Sequence, residues 1–191
     1  FENSTFSTMS MKRAAHEIEE LHNDEVCEME ELYERIQKDR VIWLDTRKFD
    51  LVIQLLSDPN RIFKTLTLDG EYLKSDHTNA VVRLIEALET RSPQLEVLDL
   101  SNFNTNNEGI HTLSNFLKTT LSLCKLRLDR CKMDDAGAFL IGESLGTNKC
   151  MKRLYLGYNE IGDDGAIALA DALKTNQHLE ELDLVGNDIG F

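Results

Sequence analysis

This sequence is expected to fold as an α/β solenoid, a stack of strand–helix units that share one apolar core. Three observations predict it. First, Met151-x-x-Leu154-x-Leu156-x-x-Asn159-x-Ile161 recurs 28 positions later as Leu179-x-x-Leu182-x-Leu184-x-x-Asn187-x-Ile189. Second, the same spacing starts at Leu95 and at Leu123, which makes three intervals of 28, with a forerunner at Phe63 lying 32 before Leu95. Third, each leucine-spaced strand is followed by an apolar stretch of helical period. A single unit of this size cannot bury its own apolar face, so like units stack.

Taken in order, residues 1–10 are rich in Ser, Thr and Asn and have no period, and are read as a disordered lead. Residues 11–61 are read as an acidic helical N-terminal cap. From Met11 to Lys38, Met11, Ala14, Ala15, Ile18 and Leu21 form one apolar stripe, and Val26, Met29, Leu32, Tyr33 and Ile36 continue it. Residues 1–40 hold eleven acidic against five basic side chains, a net −6. Such a helix either packs on the first unit with its acidic side in water or reaches out as an acidic arm to a basic partner. A self-associating coiled coil fits less well, because the stripe is short and irregular. Val41–Leu44 suits a buried strand with Trp43 in the core. Asp45 or Thr46 then caps a helix carrying Phe49, Val52, Ile53, Leu55 and Leu56, which Pro59 ends.

Residues 62–191 are read as the repeats, of about 28 residues, the last incomplete. The irregular interval is absorbed by loop compositions at 70–77 and around Ser92 and Pro93. Other columns keep the period. Asn107, Asp135 and Asp163 precede helical stretches and are expected to cap them. Gly109, Gly137 and Gly165 follow two residues later, where close approach between layers is expected. Leu113, Ile141 and Leu169, then Leu117, Leu145 and Leu173, mark one helix face. The ninth position reads Glu71, Phe103, Cys131, Asn159, Asn187. Asn or Cys there is expected to turn inward and bond backbone left unpaired as the strand enters its loop. Phe103 and Glu71 break the column, so the first two units should bend locally, with Asn102 or Asn104 as substitutes.

The 28-residue unit, the I-G-D-D-G-A-I-A-L-A-D-A-L run at 161–173 and the spacing L-x-x-L-x-L-x-x-[NC]-x-[LIM] resemble the ribonuclease-inhibitor-like subfamily of leucine-rich repeats. Similar arrays occur in NOD-like receptors, in the activating protein of the Ran GTPase and in bacterial effectors. The likeness spans roughly 62–191. It implies a right-handed horseshoe with a parallel sheet on the concave side, helices outside, and binding of other proteins along the concave face.

Composition narrows the function. Hydrophobic content of 41% and charged content of 29% fit a globular chain, and no run approaches the ~20 apolar residues of a spanning helix. A net charge of −13 opposes a nucleic-acid backbone as main partner. Cys27, Cys124, Cys131 and Cys150 form no C-x-x-C pair and are read as reduced, mostly buried thiols of a cytoplasmic protein. No cofactor is implied. The pairs Asp134–Asp135 and Asp163–Asp164 are read as helix caps, not as a metal site. The five histidines share no spacing with a nucleophile, and no nucleophile elbow, phosphate loop or H-E-x-x-H occurs, so no catalytic residue is assigned.

With Leu98 and Leu100 inside, strand alternation sends the third, fifth and seventh positions of each unit to the open face. The middle column reads Thr67, Asp99, Arg127, Tyr155, Asp183, a basic and aromatic centre flanked by carboxylates. Asp99, Asn102, Arg127, Arg130, Arg153, Tyr155, Tyr158 and Asp183 are therefore the candidate partner-binding residues, Tyr and Arg being the types that dominate interface energetics. The competing reading pairs Arg127 with Asp99, and Arg153 with Glu181 or Asp183, as ordinary exposed ion pairs. The expected function is non-enzymatic binding of another protein, with no membrane and no nucleic acid involved. Alternatives are a sensor or autoinhibitory segment of a larger receptor, a GTPase regulator or a pathogen effector. The unit begun at Leu179 has no helix after it, so Leu182, Leu184 and Ile189 are expected to be covered by further chain or by self-association through this open end.

Overall fold

The computed structural model describes residues 27–190 apart from 39–40, 59, 74–78 and 92–93; the proposed lead and the first part of the N-terminal helix lie outside the described residues. Helix α1 (27–37) is followed by β1 (Ile42–Trp43), α2 (Thr46–Ser57), β2 (Thr65–Asp69), α3 (Ala80–Arg91), β3 (Val97–Asp99) and α4 (Asn107–Thr119). β4 (Lys125–Arg127), α5 (Asp135–Thr147), β5 (Arg153–Tyr155), α6 (Asp163–Leu173) and β6 (Glu181–Asp183) complete the chain. The six strands form one parallel sheet in chain order. Register is in phase with the repeat: Leu66, Leu98, Leu126, Leu154 and Leu182 are successive partners. Strands sit ~4.8 Å apart while packed helices need ~8–10 Å. The stack therefore curves with the sheet on its inner side, and this is an α/β solenoid of strand–helix repeats.

One continuous core runs from Leu32 in α1 to Leu169 in α6. The helix face expected at Leu113, Ile141, Leu169, Leu117 and Leu145 is fully buried, whereas Leu173, in the last described helix, is 38% exposed. Leu182 and Leu184 are only half-buried, and Ile189 is exposed. The glycine column behaves as expected: a Cβ at Gly137 would lie 2.7 Å from Met133 Cγ, and one at Gly165 2.5 Å from Asp135 Oδ1.

The ninth-position column is a hydrogen-bonded ladder between neighbouring units. Asn159 Nδ2 donates to the Leu128 carbonyl at 2.8 Å, and its Oδ1 accepts from Cys131 N and Met133 N. Asn187 Nδ2 donates to Leu156 O, the equivalent carbonyl one unit on, and Cys131 Sγ donates to Leu100 O. Burial pushes the Cys131 thiol far up, so it stays protonated and serves as a donor. At Phe103 the column changes character, since the ring is buried as an apolar plug and neither Asn102 nor Asn104 replaces the inward contacts. Asn102 Nδ2 instead bonds Asp69 Oδ2 on the open face. A second ladder lies at the helix-to-strand turns. Asn148 donates to Leu117 O, Asn176 to Leu145 O, and each side-chain oxygen accepts two backbone N–H groups of the turn that leads into the next strand.

Four expectations need correction. The helix caps are one residue earlier than expected: Asn106 accepts from Gly109 N and Asp134 from Gly137 N. Asp135 instead reaches across to the next unit, where it accepts from Gly162 N and Gly165 N at the start of α6, and Asp163 accepts from Gly190 N. The residue before α6 is Gly162, which has no side chain to cap the helix, so the neighbour supplies one. Trp43 is 48% exposed, because pairing of Ile42 with Leu68 turns Ile42 and Leu44 inward and Trp43 to the open face. The thiols are all free, yet only Cys131 is buried; Cys27 is exposed. The expected Arg153 ion pair does not form among the described residues.

At the N-terminal end, α1 lies against the first unit. Leu32 and Ile36 are buried, Tyr33 meets Phe63 edge-on at 5.6 Å, and the Arg61 guanidinium sits 4.4 Å above the Tyr33 ring while pairing with Glu30 and Asp58. The described part of this helix is thus packed, with Glu31 and Glu34 facing water. Asp45 caps α2 through Lys48 N, as expected. Among the described residues no helix is long and apolar enough to cross a membrane.

Candidate protein-binding face

The open face of the sheet is built by alternation, since the fourth and sixth residues of the units from β2 to β5 are buried and the residues between them stand outward. The fifth column places Asp99, Arg127, Tyr155 and Asp183 on adjacent strands. In the turns after β3 to β6 the eighth residue has positive φ: Asn102 (63°), Arg130 (57°), Tyr158 (55°) and Gly186 (73°). The backbone N–H of Asn102, Arg130 and Tyr158 donates to the seventh-position carbonyl of the next unit, which holds the turn in register. This left-handed geometry throws the eighth side chain onto the rim of the face.

Two arginine–tyrosine stacks result. The Arg127 guanidinium lies 4.7 Å from the centre of the Tyr155 ring, and Arg130 lies 4.8 Å from that of Tyr158. Lys125 Nζ approaches Tyr155 as well, at 5.3 Å. The Tyr158 ring in turn covers Gly186, where a Cβ would come within 2.6 Å of it, so a larger residue there would have to push the ring aside. Arg127 Nε lies between Asp129 (3.6 Å) and Asp99 (3.9 Å), within ion-pair reach but beyond hydrogen-bond length. Burial raises the Asp129 carboxyl above the usual aspartate range, against the Gly157 N–H and Arg127, and Asp99 and Asp183 add to the rise. Partial burial, then the Glu181 carboxylate, raises the Tyr155 phenol.

Of the eight candidates, the structure brings together Asp99, Asn102, Arg127 and Arg130 around an open cleft of about 260 Å³ over β2 to β4. Tyr155 and Tyr158 stack on two of these. Arg153 stands apart and exposed on β5, its partner in register being Glu181. Asp183 opposes Tyr155 in register and accepts from Val185 N. The aspartates also have local duties: Asp99 accepts from Ser101 N and Oγ, and Asp129 from Gly157 N across the strand gap.

Several members of the site were not among the candidates. Asp69 and Asp129, which alternation already places on the open face at seventh positions, line the cleft, and Val41 closes one side. Trp43 and Tyr72, both exposed, meet at 6.1 Å at the N-terminal edge of the face. The alternation in Ile42-Trp43-Leu44 was a signal for Trp43, since two apolar neighbours facing inward force the residue between them outward. Among the described residues no group of three or more His, Cys, Asp or Glu side chains is placed to hold a metal ion.

A family profile described as "Leucine Rich repeat" matches residues 147–170 and 175–190. No curated protein matches the chain. The solved structures that match include one titled "Leiomodin-1 Actin-Binding Site 2 (ABS2)", 25% identical with a TM-score of 0.49, the match covering 55% of this chain and 60% of that one.

Proposed function

We propose that this leucine-rich repeat chain is a non-enzymatic protein-binding module whose partner lies on the open, concave face of the sheet, centred on β4 and β5. The observation that supports this reading most is the rim column. From β3 to β6 position eight takes a left-handed backbone, which glycine adopts freely and other residues adopt at a cost of ~1 kcal/mol or more. Gly186 takes the inexpensive solution, whereas the same column carries Arg130 and Tyr158, exposed and stacked on one another. Residues retained against local strain, of the two types that anchor interfaces, fit a binding role better than a purely structural one. The rigid sheet beneath adds preorganisation, which reduces the entropy lost on association.

In this reading residues 11–61 cap the array and 62–191 present the face. The four free cysteines fit a reducing compartment, the cytoplasm. The test is charge reversal at Arg127 and Arg130 combined with Tyr155→Ala, measured against a partner recovered by affinity purification with mass spectrometry. Affinity is expected to fall at least about 100-fold, or ~2.7 kcal/mol, while the variant stays folded. Unchanged affinity would move the site off this face.

A further inference from the structure

The face does not carry one sign throughout. Arg127 is matched by Asp99 and Asp129. Lys125, Arg130 and Arg153 are not: among the described residues none of the three has an ion pair or a hydrogen bond from its side chain, only the ring contacts of Lys125 and Arg130. Lys125 and Arg153 are register partners on neighbouring strands, so two cations stand side by side at strand spacing. Like charges so placed destabilise a sheet. This happens in a chain of net charge −13, where carboxylates are abundant, yet neither register partner of Lys125, Val97 or Arg153, is one. Glu181 stands opposite Arg153 on β6, yet among the described residues no ion pair joins the two. Two features of the β4–β5 strip thus oppose folding, the juxtaposed cations at its third positions and the left-handed Arg130 and Tyr158 at its eighth. An occupant carrying carboxylates would offset the first and make use of the second.

We infer that the partner presents an acidic, extended segment to the β4–β5 strip, with carboxylates reaching Lys125 and Arg153 at one end and Arg130 at the other. The inference rests on the proposed protein-binding face. The two ends are five residues apart, across β4 and the turn after it, at most ~16 Å at 3.3 Å per residue, so the carboxylates belong no more than about five residues apart in an extended peptide. Between them an apolar or aromatic residue covers Tyr155 and Tyr158. The strip made by Thr65, Thr67 and Val97 on β2 and β3 carries no cation and takes no part in this recognition.

A phage-displayed library of random 12-residue peptides, selected on the full chain, tests the inference. Enriched peptides are expected to be acidic, with two carboxylates no more than about five residues apart, and to bind more weakly as salt rises. As synthetic peptides they are expected to lose at least about tenfold in affinity on Lys125→Glu with Arg153→Glu, or on Arg130→Gly, and less than about twofold on Lys149→Glu with Lys174→Glu, an equal charge change elsewhere. Arg130→Gly relieves backbone strain, so its loss of binding should come without loss of stability. Neutral or basic peptides that depend on Tyr155 would overturn the acidic assignment and leave the binding face standing. Peptides indifferent to every change on the face, or no enrichment at all, would overturn the face and this inference with it.

Discussion

Phe103 and Asn159 hold the same place in units two repeats apart, yet the two ends of the array use that place in opposite ways. Asn159 is buried and fully hydrogen-bonded, tying backbone groups of two units together. Phe103 is equally buried and offers no side-chain hydrogen bond; it fills the turn with an apolar ring, and Gly70 of the preceding unit gives it room. A turn in this fold can therefore be closed by polar satisfaction or by volume. The first fixes backbone positions through directed bonds and yields the uniform rim from Arg130 to Gly186. The second is tolerant of geometry and goes with the irregular spacing around β2 and β3.

The comparison is broken most severely at Asn159. Asn159→Ala strands two buried N–H groups and leaves the Leu128 carbonyl short of a donor, and is expected to cost about 3–4 kcal/mol in urea unfolding. Asn187→Ala, at a half-buried site, should cost about 1 kcal/mol. Equal losses at the two would mean that burial is not what gives the ladder its strength. The Phe103 turn is probed through its neighbour. A Cβ at Gly70 would stand 2.8 Å from the Phe103 ring, so Gly70→Ala should cost about 1–3 kcal/mol. Most of that loss should vanish in a Phe103→Leu background, measured as a double-mutant cycle. Additive losses would show that the two residues are not coupled.

Much of this molecule was legible in its residues. The leucine spacing placed every strand from β2 onward, and with the 28-residue period from β3 it placed the buried leucines and the inward Asn and Cys, because those features depend on side-chain period and on unpaired backbone. The caps were misplaced by one residue because Asn106-Asn107 and Asp134-Asp135 each offer two capable side chains, and only geometry decides which one caps its own helix. That Asp135 serves the following helix is a contact between units, invisible to a pattern read along one unit. Trp43 was assigned to the core by composition, although alternation in a three-residue run outweighs hydrophobicity. The columns of the face followed from alternation, but the left-handed rim did not, since Arg and Tyr carry no signal for positive φ.

The smallest expected effect concerns Asp129, the carboxylate beside Arg127. Its folded-state affinity for a proton exceeds that of the unfolded chain, mainly through burial, so the folded form holds more protons and stability falls as pH rises from about 3.8 through the raised value. Asp129→Asn keeps an oxygen for the Gly157 N–H and removes this slope. The variant should gain on the parent protein between pH 3 and pH 7, by under about 1 kcal/mol given the partial exposure. A relative loss at neutral pH would mean that attraction to Arg127 exceeds the desolvation cost.

The two ends of the face can be told apart in one titration. The amide spectrum of the isotopically labelled chain is followed by NMR as a 12-residue glutamate peptide is added at low salt. Shifts are expected at Lys125, Arg130, Arg153, Tyr155 and Tyr158, saturating together and vanishing in high salt, with Thr65, Thr67 and Val97 still. Shifts gathered around Trp43 and Tyr72, or spread over the outer helices, would contradict an acidic partner on β4 and β5.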